Sequence, residues 1–178
     1  MKMVRFAWMA LATMLLATHA AAEVHGEDHP LLPRYDGAEI KDYRAPSLDE
    51  VTIPVARIGD ADATTGVRRM EGTVTHIDYA VTPATATLQI GRYYETLLQS
   101  AGFRFVFTCA GEQACGGDMG KLIFNSGKVA PTGFADGLFG DRMRVIVAQR
   151  GATWVLLHIY EGPDRSTIYE VVVDGATG

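Results

Sequence analysis

Cysteine is scarce in this chain: two residues, Cys109 and Cys115, among 178. Two thiolates cannot complete a tetrahedral zinc site unaided, and no histidine lies near them in sequence to supply further ligands. Clustered basic residues are missing too. Lysine and arginine number 16 against 21 acids, Arg68-Arg69 is the one basic doublet after residue 22, and a phosphate backbone demands more, which argues against nucleic acid as a partner. After residue 22 no apolar run approaches the ~20 residues that a membrane-spanning helix needs. No Gly-x-Ser-x-Gly elbow occurs, and neither Gly116-Gly117 nor Gly137-Leu-Phe-Gly140 carries the Lys and Ser/Thr of a phosphate loop.

The long apolar run that does exist stands at the start. Residues 1–22 combine Lys2 and Arg5, an apolar stretch from Phe6 to Ala17, and a small-residue tract ending Ala20-Ala21-Ala22. That is the pattern of a secretory signal peptide cleaved after Ala22; a retained anchor is the competing reading, disfavoured by the shortness of the run. Cleavage removes Lys2 and Arg5 and no acid, moving the formal charge from −5 to −7. The remainder has the length of one domain.

Residues 23–48 show little periodicity and read as an extended N-terminal arm, with a single α+β domain over 49–178. Val51–Ile58 is rich in β-branched residues, but Pro54 demotes it to an edge strand; Asp60–Gly66 is a polar loop. From Gly72 to Val81 the alternation predicts a strand with one buried face. Ile90, Tyr94, Leu97, Leu98 and Ala101 then form one helical stripe over 84–101, closed by Gly102 in a left-handed cap. In Phe103–Cys109 the two-residue period puts Phe103, Phe105, Phe107 and Cys109 on one core-facing side. Residues 116–141 hold seven glycines and predict one short element in a long connection. Strands over 142–149, 153–161 and 167–174 close the domain as an antiparallel meander. The expected architecture is one main helix packed on a mostly antiparallel sheet.

Both cysteines lie in Phe107-Thr-Cys-Ala-Gly-Glu-Gln-Ala-Cys-Gly-Gly117, five residues apart. A redox centre would want a Cys-x-x-Cys pair at a helix N-terminus, whereas Cys109 ends a strand beside phenylalanines, where a thiol pKa rises. A disulfide explains the even count and the secretory signal, with redox and metal readings behind it.

Candidate chemistry elsewhere is thin. His25 and His29 flank Gly26-Glu27-Asp28 near a chain terminus, which offers no preformed metal site. His76 and His158 sit in predicted strands as packed or surface side chains; adjacency with Asp78 on one face would revive an acid–base or metal reading. Asp49-Glu50 reads as a solvated loop. Trp154, Tyr160 and Tyr169 fill the core or line a cleft for a small apolar or lipid ligand. No catalytic, metal or cofactor-binding residue is assigned, and the chain is not expected to be an enzyme or to need a cofactor.

Three segments together resemble a known family: Asp28-His-Pro-Leu-Leu-Pro-Arg-Tyr-Asp-Gly37; Glu71-Gly72 leading to Ile77-Asp78-Tyr79, with Tyr93-Tyr94-Glu95 and Ala101-Gly102-Phe103; and Cys109 to Gly117. They are similar to the uncharacterised periplasmic domain of Gram-negative envelope proteins that commonly precedes an OmpA-like peptidoglycan-binding domain. The resemblance spans Asp28 to Val173. It implies a periplasmic location associated with the outer membrane, and a non-enzymatic role with an envelope protein or component as partner. The sequence stops at Asp174-Gly-Ala-Thr-Gly178, where the OmpA-like domain would begin, so the Asp and Arg residues that grip peptidoglycan are not carried over. The leading expectation is thus a secreted, non-catalytic interaction module; a small-ligand binder is the alternative and a thiol-disulfide enzyme the third reading.

Overall fold

The structure, a computed structural model, describes residues 26–62, 64–131 and 140–178. The signal peptide expected over 1–22, its cleavage site and His25 lie outside the described residues. Six strands form one antiparallel sheet: β1 (Ala38–Pro54), β2 (Val67–Val81), β3 (Arg104–Ala110), β4 (Met143–Arg150), β5 (Thr153–Glu161) and β6 (Ser166–Thr177), in the order β1-β2-β6-β5-β4-β3. The helices are short: α1 (Thr87–Ser100), α2 (Gly111–Cys115) and a π-helical turn at Lys121–Asn125.

The expected α+β architecture, with one main helix packed on a mostly antiparallel sheet, is overturned. The protein is mostly antiparallel sheet, because residues assigned to the arm are a strand and α1 is a 14-residue element against strands of up to 17. The expected boundary between residues 48 and 49 falls inside β1, which pairs with β2 from Ala38↔Val81 to Pro54↔Val67. Asp49-Glu50 therefore lies on a strand, not in a loop. The meander falls where the apolar runs place it, with β4–β5 and β5–β6 turning at Gly151-Ala152 and Gly162–Arg165.

Both faces of the sheet are covered, so β2 is buried on two sides rather than one. Over one face lie α1, through Ile90, Tyr94 and Leu98, and residues 28–35, through Leu32. Over the other lie Ile58, Ala61 and the chain from Cys115 to Ala130, including Met119, Leu122, Ile123 and Phe124. This explains the unbroken apolar runs Val145–Ala148, Val155–Leu157 and Val171–Val173, whose members alternate between two cores. Each fully buried Leu, Ile or Val contributes about 2 kcal/mol of apolar transfer energy, so both layers stabilise the sheet.

Helix α1 ends as its sequence demands. Gly102 takes φ +79°, its N–H donates to Gln99 O (3.0 Å) and Phe103 N–H to Leu98 O (2.9 Å), while Phe103 packs on the α1 face. The following strand departs from the expected period. Phe105 pairs with Ala148 and Phe107 with Val147, so Val106 is an extra residue on β3. Phe103 and Phe105 belong to the α1 core, Phe107 and Cys109 to the opposite one.

Candidate functional site

Cys109 at the end of β3 and Cys115 at the end of α2 form a disulfide, with Cα atoms 5.2 Å apart. Cys115 is fully buried and Cys109 nearly so, both in the apolar cluster with Met143 and Val145. Gly116 follows at φ +96°, pressed on Ile58: Ile58 N–H donates to Cys115 O (2.8 Å) and Asp118 N–H to Ile58 O (3.2 Å). A Cβ on Gly116 would overlap the Ile58 carbonyl. The disulfide thus fixes a backbone seam between residues 55–61 and the α2 turn.

On the same face one register row reads Asp42, Asp78, Tyr169, His158, Val145, Cys109 from edge to edge. His76 stands two residues before Asp78, its Nδ1 2.7 Å from Tyr169 Oη. Phe124 of the π-helical turn stands edge-on to His158 (4.9 Å between ring centres) and to Tyr169 (5.2 Å). His76, Asp78 and His158 do share a face, but β6 intervenes and Tyr169 occupies the space between the two imidazoles. Among the described residues no group of three His, Cys, Asp or Glu side chains could hold a metal ion. Burial holds the imidazoles of His76 and His158 down to about 4; for His76 the Arg44 charge adds to this and Asp49 opposes it. His158 Nε2 has no hydrogen-bond partner among the described residues. Both imidazoles are buried, His158 beneath Phe124 and His76 against Tyr169.

The opposite face holds a second polar cluster, around the strap of residues 28–37. Arg34 Nε donates to both Asp28 carboxylate oxygens (2.8 and 3.0 Å), and its guanidinium sits 5.7 Å over the Tyr79 ring. Tyr79 Oη donates to Asp28 Oδ1 (3.1 Å), Tyr93 Oη to the carbonyls of Pro33 (3.1 Å) and Arg34 (2.9 Å), and Tyr35 N–H to Tyr94 Oη (3.3 Å). His29 Nε2 donates to Asp174 Oδ2 (3.0 Å), while its Nδ1 accepts from Leu31 N–H (3.3 Å). His29 is thus tied to β6 through Asp174, while His25, its companion in the metal reading, lies outside the described residues.

Glu170 lies under this cluster. Its register row is Tyr43, Ile77, Glu170, Leu157, Ile146, an acid inside an apolar line. It is fully buried, and neither carboxylate oxygen has a hydrogen-bond partner among the described residues. Burial first, then the Asp28 charge, pushes its carboxyl well above the usual range, and burial with the Glu170 charge likewise raises the Tyr79 and Tyr94 hydroxyls. Sequence reasoning missed Glu170 because alternation in Ile168-Tyr-Glu-Val-Val-Val173 would let an acid face water on a half-covered sheet.

Trp154, Tyr160 and Tyr169 occupy one face but separate positions. Trp154 is buried in the core, with the Arg68 guanidinium 5.0 Å over its ring. The groove beside it, lined by Arg68, Met70, Gln149 and Ala176 among others, has a volume of about 60 Å³, space for a few water molecules. A broader depression of about 310 Å³ lies at Glu50, Arg69, Glu71 and Gly178. Among the described residues no helix is long and apolar enough to cross a membrane. No protein-family model matches this sequence, and no curated protein matches it.

Proposed function

We propose that this protein is a non-catalytic interaction module of the cell envelope, exported to the periplasm and associated there with an outer-membrane protein or component, as its likeness to the periplasmic domain preceding OmpA-like domains implies. One observation supports it most: the side chains best suited to acid–base work, His76, His158 and Glu170, are sunk in the two cores, and both sulfurs are tied in a disulfide. A periplasmic setting suits that bond. The contact surface on this reading includes β1, an edge strand whose residues 45–48 are exposed, Leu48 at 84 %. The two register shifts in β1, at Ile40/Asp42 and Arg44/Ser47, and Pro46 blunt indiscriminate strand pairing. The test is copurification from crosslinked envelopes: recovery of a defined envelope partner is expected, and recovery of free monomer alone from the soluble periplasm would overturn the proposal.

A further inference from the structure

We propose that residues 28–37 are a pH-operated strap, closed over Glu170 while that carboxyl carries its proton and lifted when it ionises, so that the α1 face is covered in acid and uncovered in alkali. This goes beyond the envelope role and does not depend on it.

The strap is built for detachment. Leu32 is its one fully buried apolar anchor, with Leu31 and Tyr35 half-buried against the same core; the remaining grip is hydrogen bonds to Tyr79, Tyr93, Tyr94, Asp174 and Gln89 and the Tyr35 ring edge-on to Tyr93 (5.4 Å). It joins β1 through a tight turn, Ala38 N–H to Tyr35 O (2.9 Å), with Gly37 at φ +76° as the pivot. Swinging there leaves the sheet register intact.

Beneath it Glu170 has no donor among the described residues. A buried neutral carboxyl without a partner is costly, and a buried carboxylate without one far more so. The groups that face it offer no compensating cation. The strap presents Asp28, His29 and Arg34, but Arg34 is engaged by Asp28; β2 presents Tyr79, α1 Tyr93 and Tyr94, β1 Tyr43, β6 itself Asp174, and β5 the apolar Val155, Leu157 and Ile159. Arg144, further along this face, is paired with Glu95 (3.6 Å). Tyr79 and Tyr94 bind the strap through their hydroxyls and also lie within the field of the Glu170 charge. Strap and carboxyl are thereby neighbours through two shared tyrosines.

The sign follows from linkage. A carboxyl whose value in the closed state lies above its value in water favours closure at low pH, and that advantage is lost as pH rises through the closed-state value. Over the titrating range each pH unit weakens closure by up to about tenfold.

Hydrogen exchange followed by mass spectrometry on the full chain, stepped from acid to alkaline pH and corrected for intrinsic exchange rates, reads the strap directly. Protection of peptides covering 28–37 should fall by tenfold or more with rising pH while that of β4 and β5 stays constant. Glu170→Gln and Glu170→Leu should both keep the strap protected at alkaline pH. Tyr93→Phe should lower protection at every pH and leave the pH response in place. The same pH response in wild type and both Glu170 variants, or a parallel loss of protection in β4 and β5, would overturn the proposal.

Discussion

Phe105 and Phe107, two positions apart on one strand, point into opposite cores: Phe105 pairs with Ala148 toward α1, and Phe107 with Val147 toward the disulfide. The residue between them, Val106, takes up the register. Because Val106 bulges instead of pairing, Cys109 stands on the face where Cys115 waits.

That geometry makes a paired prediction about deletions. Removing Val106 leaves Phe105 and Phe107 adjacent, already opposite Ala148 and Val147, so the strand becomes regular and the disulfide still forms. Removing Thr108 instead turns Cys109 to the α1 face, and two thiols should then alkylate without reductant. Intact mass after alkylation distinguishes the two; a missing disulfide in the Val106 deletion would refute the bulge assignment.

The disulfide itself closes a loop of about seven residues, for which chain entropy predicts a contribution of about 2 kcal/mol. The double variant Cys109→Ser, Cys115→Ser should therefore fold with a correspondingly lower denaturation midpoint. A loss well under 1 kcal/mol in urea titration would mean that the surrounding seam, not the bond, holds the α2 turn.

Gly116→Ala should be costlier than its size suggests. Its left-handed φ disfavours a side chain, and the new Cβ meets the Ile58 backbone, so at least about 2 kcal/mol should be lost. Gly117→Ala is the control: its Cβ meets the flexible Glu112 Oε1 at 3.3 Å, and about 0.5 kcal/mol is the most it should cost. Equal midpoints for the two variants would contradict the seam.

Acid should unfold the disulfide face in a defined window. His76 and His158 are neutral when folded, held down to about 4, and bind protons near 6.5 when unfolded. The unfolded state therefore holds more protons below that value, and stability present above pH 6.5 falls as pH drops from there to about 4, at up to about 3 kcal/mol per pH unit for two protons. Replacing His158 by Leu should halve that slope, read from urea midpoints across the window. An unchanged slope would show that His158 reaches water.

Much of the sheet was legible because the late strands announce themselves: Val145–Ala148, Val155–Leu157 and Val171–Val173 are apolar runs separated by Gly151-Ala152 and Gly162–Arg165. The fold class was not, because β1 carries a strand signature only at its end, Val51–Pro54, and none from Ala38 to Glu50. An edge exposed to water is written in Glu39, Lys41, Asp42, Arg44 and Pro46, residues chosen against pairing on the free side, so it resembles a loop. The bulge hid behind a perfect Phe-x-Phe-x-Phe alternation, since register is set by β4 and not by β3 alone. Glu170 was invisible for a related reason. Its face is covered by Tyr94 of α1, by Tyr79 of β2 and by Leu32 on a segment without periodicity, and nothing local to β6 reports that cover.

The order β1-β2-β6-β5-β4-β3 places the second and sixth strands side by side at the centre, with Val81 beside Ser166 and Thr73 beside Asp174. A chain synthesised N-terminus first can form the β1–β2 hairpin at once, yet its inner edge stays unpaired until β6 has emerged. Closing that long loop is slow compared with local pairing. During that interval β2 presents Val74, Ile77, Tyr79 and Val81 on an open edge, so this protein's exposure to aggregation is greatest before β6 closes the sheet.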